Sequence, residues 1–190
     1  MRPRDETKQQ ALYQATVDIV NSDGFASASV NKIAKHAGIS AGTLYVYFEN
    51  KEALLTETFL TIKEDLSSFV MGEFDPSFCV KENVRAFWFR LFEFVSTRGK
   101  EYQYIDQFSN SPFIQLVNSE DLELPYRPFY QALNKGIDRG IIKDIPKPML
   151  LSFILAPAVF LARSRLGAGF SGSQQDIDTA FSLAWDAITH

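Results

Sequence analysis

Residues 29–54 read SVNKIAKHAGISAGTLYVYFENKEAL, a stretch with two short apolar helical patterns joined by a tight turn. Gly38 permits the left-handed backbone conformation that such a turn needs. Ala34 and Ile39 supply a small apolar contact that lets the two helices cross closely. Ser40 caps the second helix and leaves its N-terminus facing outward, where backbone N–H groups suit a phosphate. The stretch therefore predicts a helix-turn-helix.

Helical spacing continues on both sides of this stretch. Before it, apolar residues three and four positions apart form one stripe of a first helix, which Gly24 ends. After it, Asn50 caps a fourth helix, Pro146 opens a strongly apolar helix that Pro157 should kink, and residues 174–188 form an amphipathic closing helix. Because apolar and polar residues nowhere alternate over the length of a strand, the predicted fold class is all-α.

The charge is distributed unevenly along the chain. The net charge is −4, but residues 1–51 carry six basic and five acidic side chains, whereas the remainder carries 13 basic and 18 acidic ones. An acidic body behind a mildly basic head would repel DNA everywhere except at the head. The polar N-terminus predicts no signal peptide, and the longest apolar stretch is too short to cross a bilayer. We therefore expect a cytoplasmic protein with no membrane partner.

The helix-turn-helix segment also carries a longer pattern, Ser29-Val30-x-x-Ile33-Ala34-x-x-Ala37-Gly38-Ile39-Ser40-x-Gly42-Thr43-Leu44-Tyr45-x-Tyr47-Phe48-x-x-Lys51-x-x-Leu54. With Phe25 shortly before it, this pattern resembles the N-terminal signature of the TetR family of transcriptional regulators. The resemblance implies an all-α subunit of about nine helices. Residues 1–50 would form an N-terminal three-helix helix-turn-helix DNA-binding domain. Residues 51–190 would form a C-terminal helical domain for effector binding and dimerisation.

The resemblance further implies a homodimer that pairs through its last two helices and binds a palindromic double-stranded operator with its third helices. The helix from about residue 147 to 166 has more apolar residues than one buried stripe can use. Together with the apolar face of residues 174–189, two copies of it would build a four-helix bundle.

The same resemblance implies which residues contact the operator. Gly42 and its neighbours would lie against base edges in the major groove, and Lys51 would bind the DNA backbone. Tyr45 and Tyr47 would contact phosphates or bases, although a half-buried Tyr45 ring with only its hydroxyl outward is an alternative. The expected DNA-binding residues are Ser29, Ser40, Ala41, Gly42, Thr43, Tyr45, Val46, Tyr47 and Lys51.

The third helix departs from the common way in which proteins recognise bases. The third helix lacks Arg, Lys, Asn and Gln, the side chains that make bidentate contacts to bases. Specificity would then depend on close backbone approach at Gly42, on thymine-methyl contacts from Ala41, Thr43 or Val46, and on DNA shape. Arg2 and Arg4 would either add minor-groove contacts or be disordered.

The rest of the chain is rich in aromatic rings. Of the 17 phenylalanines, all but two lie beyond residue 51. They either pack a core or line a ligand cavity. The resemblance makes residues 78–165 a helical container for a small effector that is largely apolar or aromatic. The candidate ligand-binding residues are Trp88, Phe92, Tyr104, Phe108, Phe113, Phe129 and Tyr130.

No group of residues suggests catalysis. A single cysteine, Cys79, excludes an internal disulfide and a multi-thiolate metal site, and the two histidines, His36 and His190, lie far apart in sequence. We expect no enzymatic activity, no metal and no cofactor. The predicted function is a DNA-binding transcriptional regulator, a repressor that a small apolar effector releases from its operator. The alternative is a cytoplasmic helical small-molecule binding protein with a non-functional helix-turn-helix.

Overall fold

The computed structural model describes residues 6–163 and 172–190, so Arg2 and Arg4 lie outside the described residues. These ranges contain nine α-helices of seven residues or more, one of five residues, two 3-10 helices, and an isolated bridge between Ile142 and Thr189. The prediction of an all-α fold with about nine helices is confirmed. The helices are α1 (Glu6–Ser27), α2 (Val30–His36), α3 (Ala41–Tyr47), α4 (Lys51–Met71), α5 (Val80–Thr97), α6 (Gly99–Ser109), the 3-10 helix Pro112–Leu116, α7 (Ser119–Glu123), the 3-10 helix Leu124–Tyr126, α8 (Arg127–Asp138), α9 (Lys147–Arg163) and α10 (Gln174–Ile188).

Helix α1 has the buried stripe and the stop that its sequence predicts. Leu12, Ala15 and Val20 are buried on one side of the helix. Gly24 has φ 76° and ψ 165°, so the regular helix is interrupted there. A residue with a Cβ rarely adopts a positive φ, which is why glycine occupies this break. Helix α4 begins as predicted, because the Asn50 side chain accepts a hydrogen bond from the Ala53 N–H at 2.7 Å.

Packing divides the described residues into two compact units. The first unit falls within the ranges Met1–Glu64 and Lys100–Ser119. The second falls within Asp65–Gly99 and Glu120–His190. The division falls within α4. The domain boundary predicted at residue 50 is a functional one, with DNA binding before it and effector binding after it. It remains a prediction.

Aromatic rings fill the core of the first unit. Phe59 and Phe108 stack with their ring centroids 4.2 Å apart. The ring centroid of Phe25 lies 5.9 Å from that of Tyr104 and 5.3 Å from that of Phe113. The buried Tyr104 hydroxyl donates to the Leu55 carbonyl oxygen at 2.9 Å, and burial raises the pKa of this phenol. Helix α6 is thereby packed within the same unit as α1 to α3.

The core of the second unit combines stacked rings with one close contact between α8 and the segment that follows it. Phe87 stacks on Phe129 at 4.3 Å, and Trp88 on Phe92 at 5.9 Å. A Cβ added to Gly136 of α8 would lie 2.8 Å from Cδ1 of Ile142. This contact is closer than van der Waals packing allows, so a larger residue at position 136 would force the Ile142 side chain to shift.

The last two described helices keep a large apolar surface in contact with solvent. Met149, Phe153 and Phe160 of α9 are 50%, 51% and 68% exposed, and Leu183 of α10 is 68% exposed. Helix α9 contains Pro157, and its predicted extension over residues 164–166 lies outside the described residues. Within the described ranges, no helix combines the length and the hydropathy that a membrane crossing requires.

Candidate nucleic-acid interface

The turn between α2 and α3 has the geometry that the sequence predicts. Gly38 has φ 71°, and its N–H donates to the Lys35 carbonyl at 3.2 Å. Oγ of Ser29 accepts from the Lys32 N–H at 3.3 Å, and Oγ of Ser40 accepts from the Thr43 N–H at 3.1 Å. Each serine therefore caps a helix, which satisfies a backbone donor that would otherwise be unpaired. The predicted helix-turn-helix and its Ser40 cap are confirmed, and Ser29 caps the first of its two helices.

Helix α3 has a buried side and an exposed side. Leu44 and Phe48 are buried, and the Phe48 ring lies 5.7 Å from that of Tyr13. On the opposite side, Tyr45 is 56% exposed and Val46 is 66% exposed. More than the hydroxyl of Tyr45 is therefore exposed, so the alternative of a half-buried ring with only its hydroxyl outward is wrong.

Tyr47 is the more buried of the two tyrosines. Its side chain is only 8% exposed, and its ring lies 6.4 Å from that of Phe48. Tyr47 follows Leu44 by three positions, a spacing that places both on one helix face. The signal for its burial was present in the sequence, and its contact with DNA remains a prediction.

Gly42 of α3 has no role in packing within the chain. A Cβ built on it would approach only Oγ of Ser40, at 3.8 Å, and the residue is exposed. Glycine in a helix is nevertheless about 0.5–1 kcal/mol less stable than alanine. Because no intramolecular contact requires this glycine, its position suits the close approach of another molecule. The Ser40 and Thr43 hydroxyl oxygens lie 2.9 Å apart beside it.

Lys51 is held in place by a bond to the end of α1. Its Nζ donates to the Phe25 carbonyl oxygen at 2.7 Å across 26 residues of sequence. An ammonium has three N–H donors, and this bond uses one of them. The bond fixes the position of the charge at the start of α4.

Cations neutralise two carboxylates of the first unit. Lys32 forms an ion pair with Asp23, and its hydrogen bond lowers the pKa of that carboxyl. Asp18 accepts from Nζ of Lys100 at 2.7 Å and lies 3.5 Å from Nε2 of His36. The hydrogen bond from Lys100 is the main reason that the pKa of Asp18 is lowered. These pairs reduce the negative potential that DNA would meet near α2.

Sequence reasoning missed one exposed cation. Lys35 of α2 is exposed and, among the described residues, has no ion-pair partner. The buried residues of α2 are Ile33 and Ala34, so helical spacing alone places Lys35 on the outer side. Lys35 is an additional candidate for phosphate contact.

The seven candidate ligand-binding rings do not form one group. Tyr104, Phe108 and Phe113 belong to the first unit, where they surround Phe25. The remaining four, in the second unit, are Trp88, Phe92, Phe129 and Tyr130.

The four rings of the second unit differ in their environment. Trp88 and Phe129 are almost fully buried. Tyr130 is partly buried, which raises the pKa of its phenol, and Nζ of Lys147 lies 3.9 Å from its ring centroid. The buried Nε1 of Trp88 has no hydrogen-bond acceptor among the described residues. An unpaired buried donor is costly to stability.

Comparisons with known proteins agree over the whole chain. Residues 12–58 match the family model of bacterial regulatory proteins, tetR family, and residues 79–189 match a tetracyclin repressor-like C-terminal domain. The fold is similar to a TetR family transcription regulator from Marinobacter aquaeolei, with 33% identity, a TM-score of 0.90, and coverage of 100% of this chain and 99% of that one. An HTH-type transcriptional regulator of Haemophilus influenzae is 21% identical over 188 residues, which are 99% of each chain.

Proposed function

Because the chain belongs to the TetR family of bacterial regulatory proteins and is a DNA-binding transcriptional regulator, we propose that it is a repressor released by a small effector. It binds a palindromic operator as a homodimer through α3 and the start of α4. The observation that carries this proposal is the exposed surface of α3 around Gly42, where no contact within the chain requires a glycine. The relatives are transcription regulators rather than enzymes.

The chemistry of the α3 surface favours base recognition through shape and methyl contacts. Its exposed side presents Tyr45 and Val46, with the Thr43 hydroxyl near the helix start. Apolar contacts suit the thymine methyl group, and sequence-dependent groove shape adds discrimination without bidentate bonds. In a dimer, the two α3 helices enter successive major grooves about 34–36 Å apart. A gel-shift titration with the DNA upstream of its own gene tests operator binding directly, and the absence of any specific shift would contradict the proposal.

Lys51→Ala is expected to weaken binding to every DNA sequence alike. The ammonium neutralises a phosphate, so its loss should lower the slope of log affinity against log salt by about one unit. The measurement is a salt titration of operator and non-operator DNA by fluorescence anisotropy.

Lys143→Ala is the matched control for Lys51→Ala. Nζ of Lys143 also donates to a backbone carbonyl, that of Ala187, at 2.9 Å, but it lies outside the helix-turn-helix. This variant should keep the salt slope of the unmodified protein. A changed base preference with an unchanged salt slope in Lys51→Ala would contradict the assigned role.

The effector-binding part of the proposal depends on the rings of the second unit. A ligand releases DNA when it binds better to the conformation that binds the operator poorly. A coupling of about 1–3 kcal/mol changes operator affinity several-fold to a hundredfold. The unpaired Nε1 of Trp88 could donate to a polar atom of an otherwise apolar effector, because the neighbouring rings offer only apolar contact.

Trp88 fluorescence is expected to report effector binding. The chain has two tryptophans, Trp88 and Trp185, so a Trp185→Phe background isolates the Trp88 signal. Titration with a panel of apolar and aromatic compounds should identify some that change this signal and also lower operator affinity. If every compound that changes the fluorescence leaves operator affinity unchanged, the effector site does not include Trp88.

The alternative of a small-molecule binding protein with a non-functional helix-turn-helix is not favoured. Residues 12–58, which match the regulatory-protein family model, contain the complete turn and both caps. Relatives matched over nearly the whole chain are transcription regulators.

A further inference from the structure

We propose that a surface pocket in the second unit, formed by the loop before α5 and by α8, binds a small organic anion with an apolar portion. The pocket has a volume of about 410 Å³ and is separate from the seven candidate effector rings, none of which lines it. We call it the α8 pocket. Its volume lies in the range of about 300–1,000 Å³ that is typical of small-molecule sites.

The loop wall of the α8 pocket is held in place by a buried amide. Asn83 is 2% exposed, and its Oδ1 accepts from the Asp75 N–H at 3.0 Å. Its Nδ2 donates to the Asp75 carbonyl oxygen at 2.8 Å. The Asp75 carboxylate in turn accepts from the N–H and the hydroxyl of Ser77. A wall that is already ordered removes much of the entropic cost of binding a ligand.

The charge of the α8 pocket favours an anion. Lys135 and Arg139 line it from positions four apart, which places them on one face at the end of α8. Both are exposed, and neither has an ion-pair partner among the described residues. No carboxylate lines the pocket. The neighbouring Glu82 carboxylate does not line the pocket, and it accepts a hydrogen bond from the Cys79 N–H at 2.8 Å.

Part of the pocket lining is apolar. Phe74, Val80 and Ile141 line the pocket, and the Phe78 ring beside them is 49% exposed. An alkyl or aromatic group would cover this surface and remove it from water, at about 25 cal/mol per Å² of apolar area. A guanidinium binds a carboxylate through two parallel hydrogen bonds, so a carboxylate with a hydrocarbon tail matches both halves of the pocket.

The single cysteine of the chain provides the test. Cys79 is exposed and lines the pocket, so alkylation of this thiol reports its occupancy. The rate of alkylation by neutral iodoacetamide is measured by mass spectrometry with octanoate, with uncharged octanol, and with inorganic phosphate. Octanoate should slow alkylation several-fold and saturably, and should do so more strongly than octanol or phosphate.

Substitution of the two cations tests whether octanoate protects the Cys79 thiol by binding in this pocket or by a general effect on alkylation. Lys135→Gln/Arg139→Gln should abolish the effect of octanoate. Arg127→Gln, which removes an exposed arginine at the other end of the same helix, should retain it. An unchanged alkylation rate with octanoate at every concentration that preserves the circular dichroism spectrum would overturn the proposal. Equal protection by octanol or by phosphate, or protection that persists in the double variant, would also overturn it.

Discussion

Gly42→Glu is expected to lower operator affinity by more than a hundredfold without unfolding the protein. The residue is exposed, and a Cβ there meets only Oγ of Ser40 at 3.8 Å, so the chain can hold a larger side chain. On DNA, however, the new carboxylate would face the groove and its phosphates. Each tenfold loss of affinity corresponds to about 1.4 kcal/mol, and each operator half-site would suffer the repulsion. Gel shift gives the affinity and thermal melting gives the stability.

Gly42→Ala separates the steric effect from the charge effect. Alanine should increase the stability of α3 by up to about 1 kcal/mol because it has the higher helix propensity. We nevertheless expect weaker operator binding, since the added methyl group keeps the backbone away from the bases. Gly99→Ala is the matched control, because a Cβ on this helical glycine has no neighbour within 4 Å and the residue lies outside α3. Unchanged operator affinity in both Gly42 variants would show that α3 does not approach DNA at this residue.

Leu183→Glu is expected to convert the dimer to monomers and thereby to abolish tight operator binding. Leu183 is 68% exposed in one chain, and its helix packs against α9, which has exposed apolar residues of its own. In a two-fold symmetric interface each substitution acts twice, and burying an unpaired carboxylate is strongly unfavourable. If each of the two substituted residues makes the free energy of dimerisation less favourable by about 1.4 kcal/mol or more, the dimer dissociation constant rises at least a hundredfold. A monomer would hold only one half-site.

Sedimentation velocity combined with gel shift measures both consequences of the Leu183 substitution. Phe160→Glu, on α9, should act in the same way, because this ring is also 68% exposed. Leu116→Glu is the matched control, since Leu116 is 57% exposed but lies in the 3-10 helix Pro112–Leu116, away from α9 and α10 in sequence. A dimer that persists in both Leu183→Glu and Phe160→Glu would place the interface elsewhere.

Contacts between residues close in the chain explain why the DNA-binding head could be predicted. The Ser29 and Ser40 caps, the turn at Gly38 and the Asn50 cap each join groups no more than four or five residues apart. Such features depend on backbone conformation and short side chains, so residue types at fixed spacing are enough to identify them. The buried stripe of α1 was predictable for the same reason, because helical periodicity determines which residues share a face.

Contacts between residues far apart in the chain were decided by the tertiary structure alone. Lys51 donates to a carbonyl 26 residues away, and Asp18 accepts from Lys100, 82 residues away. The candidate rings divide between two packing units, and the α8 pocket requires a loop and a helix that are more than 40 residues apart. Periodicity shows that a helix face is apolar but not which helix covers it, because many pairings bury similar area. The sequence by itself thus determined the all-α fold and the helix-turn-helix, whereas three-dimensional packing decided which side chains meet.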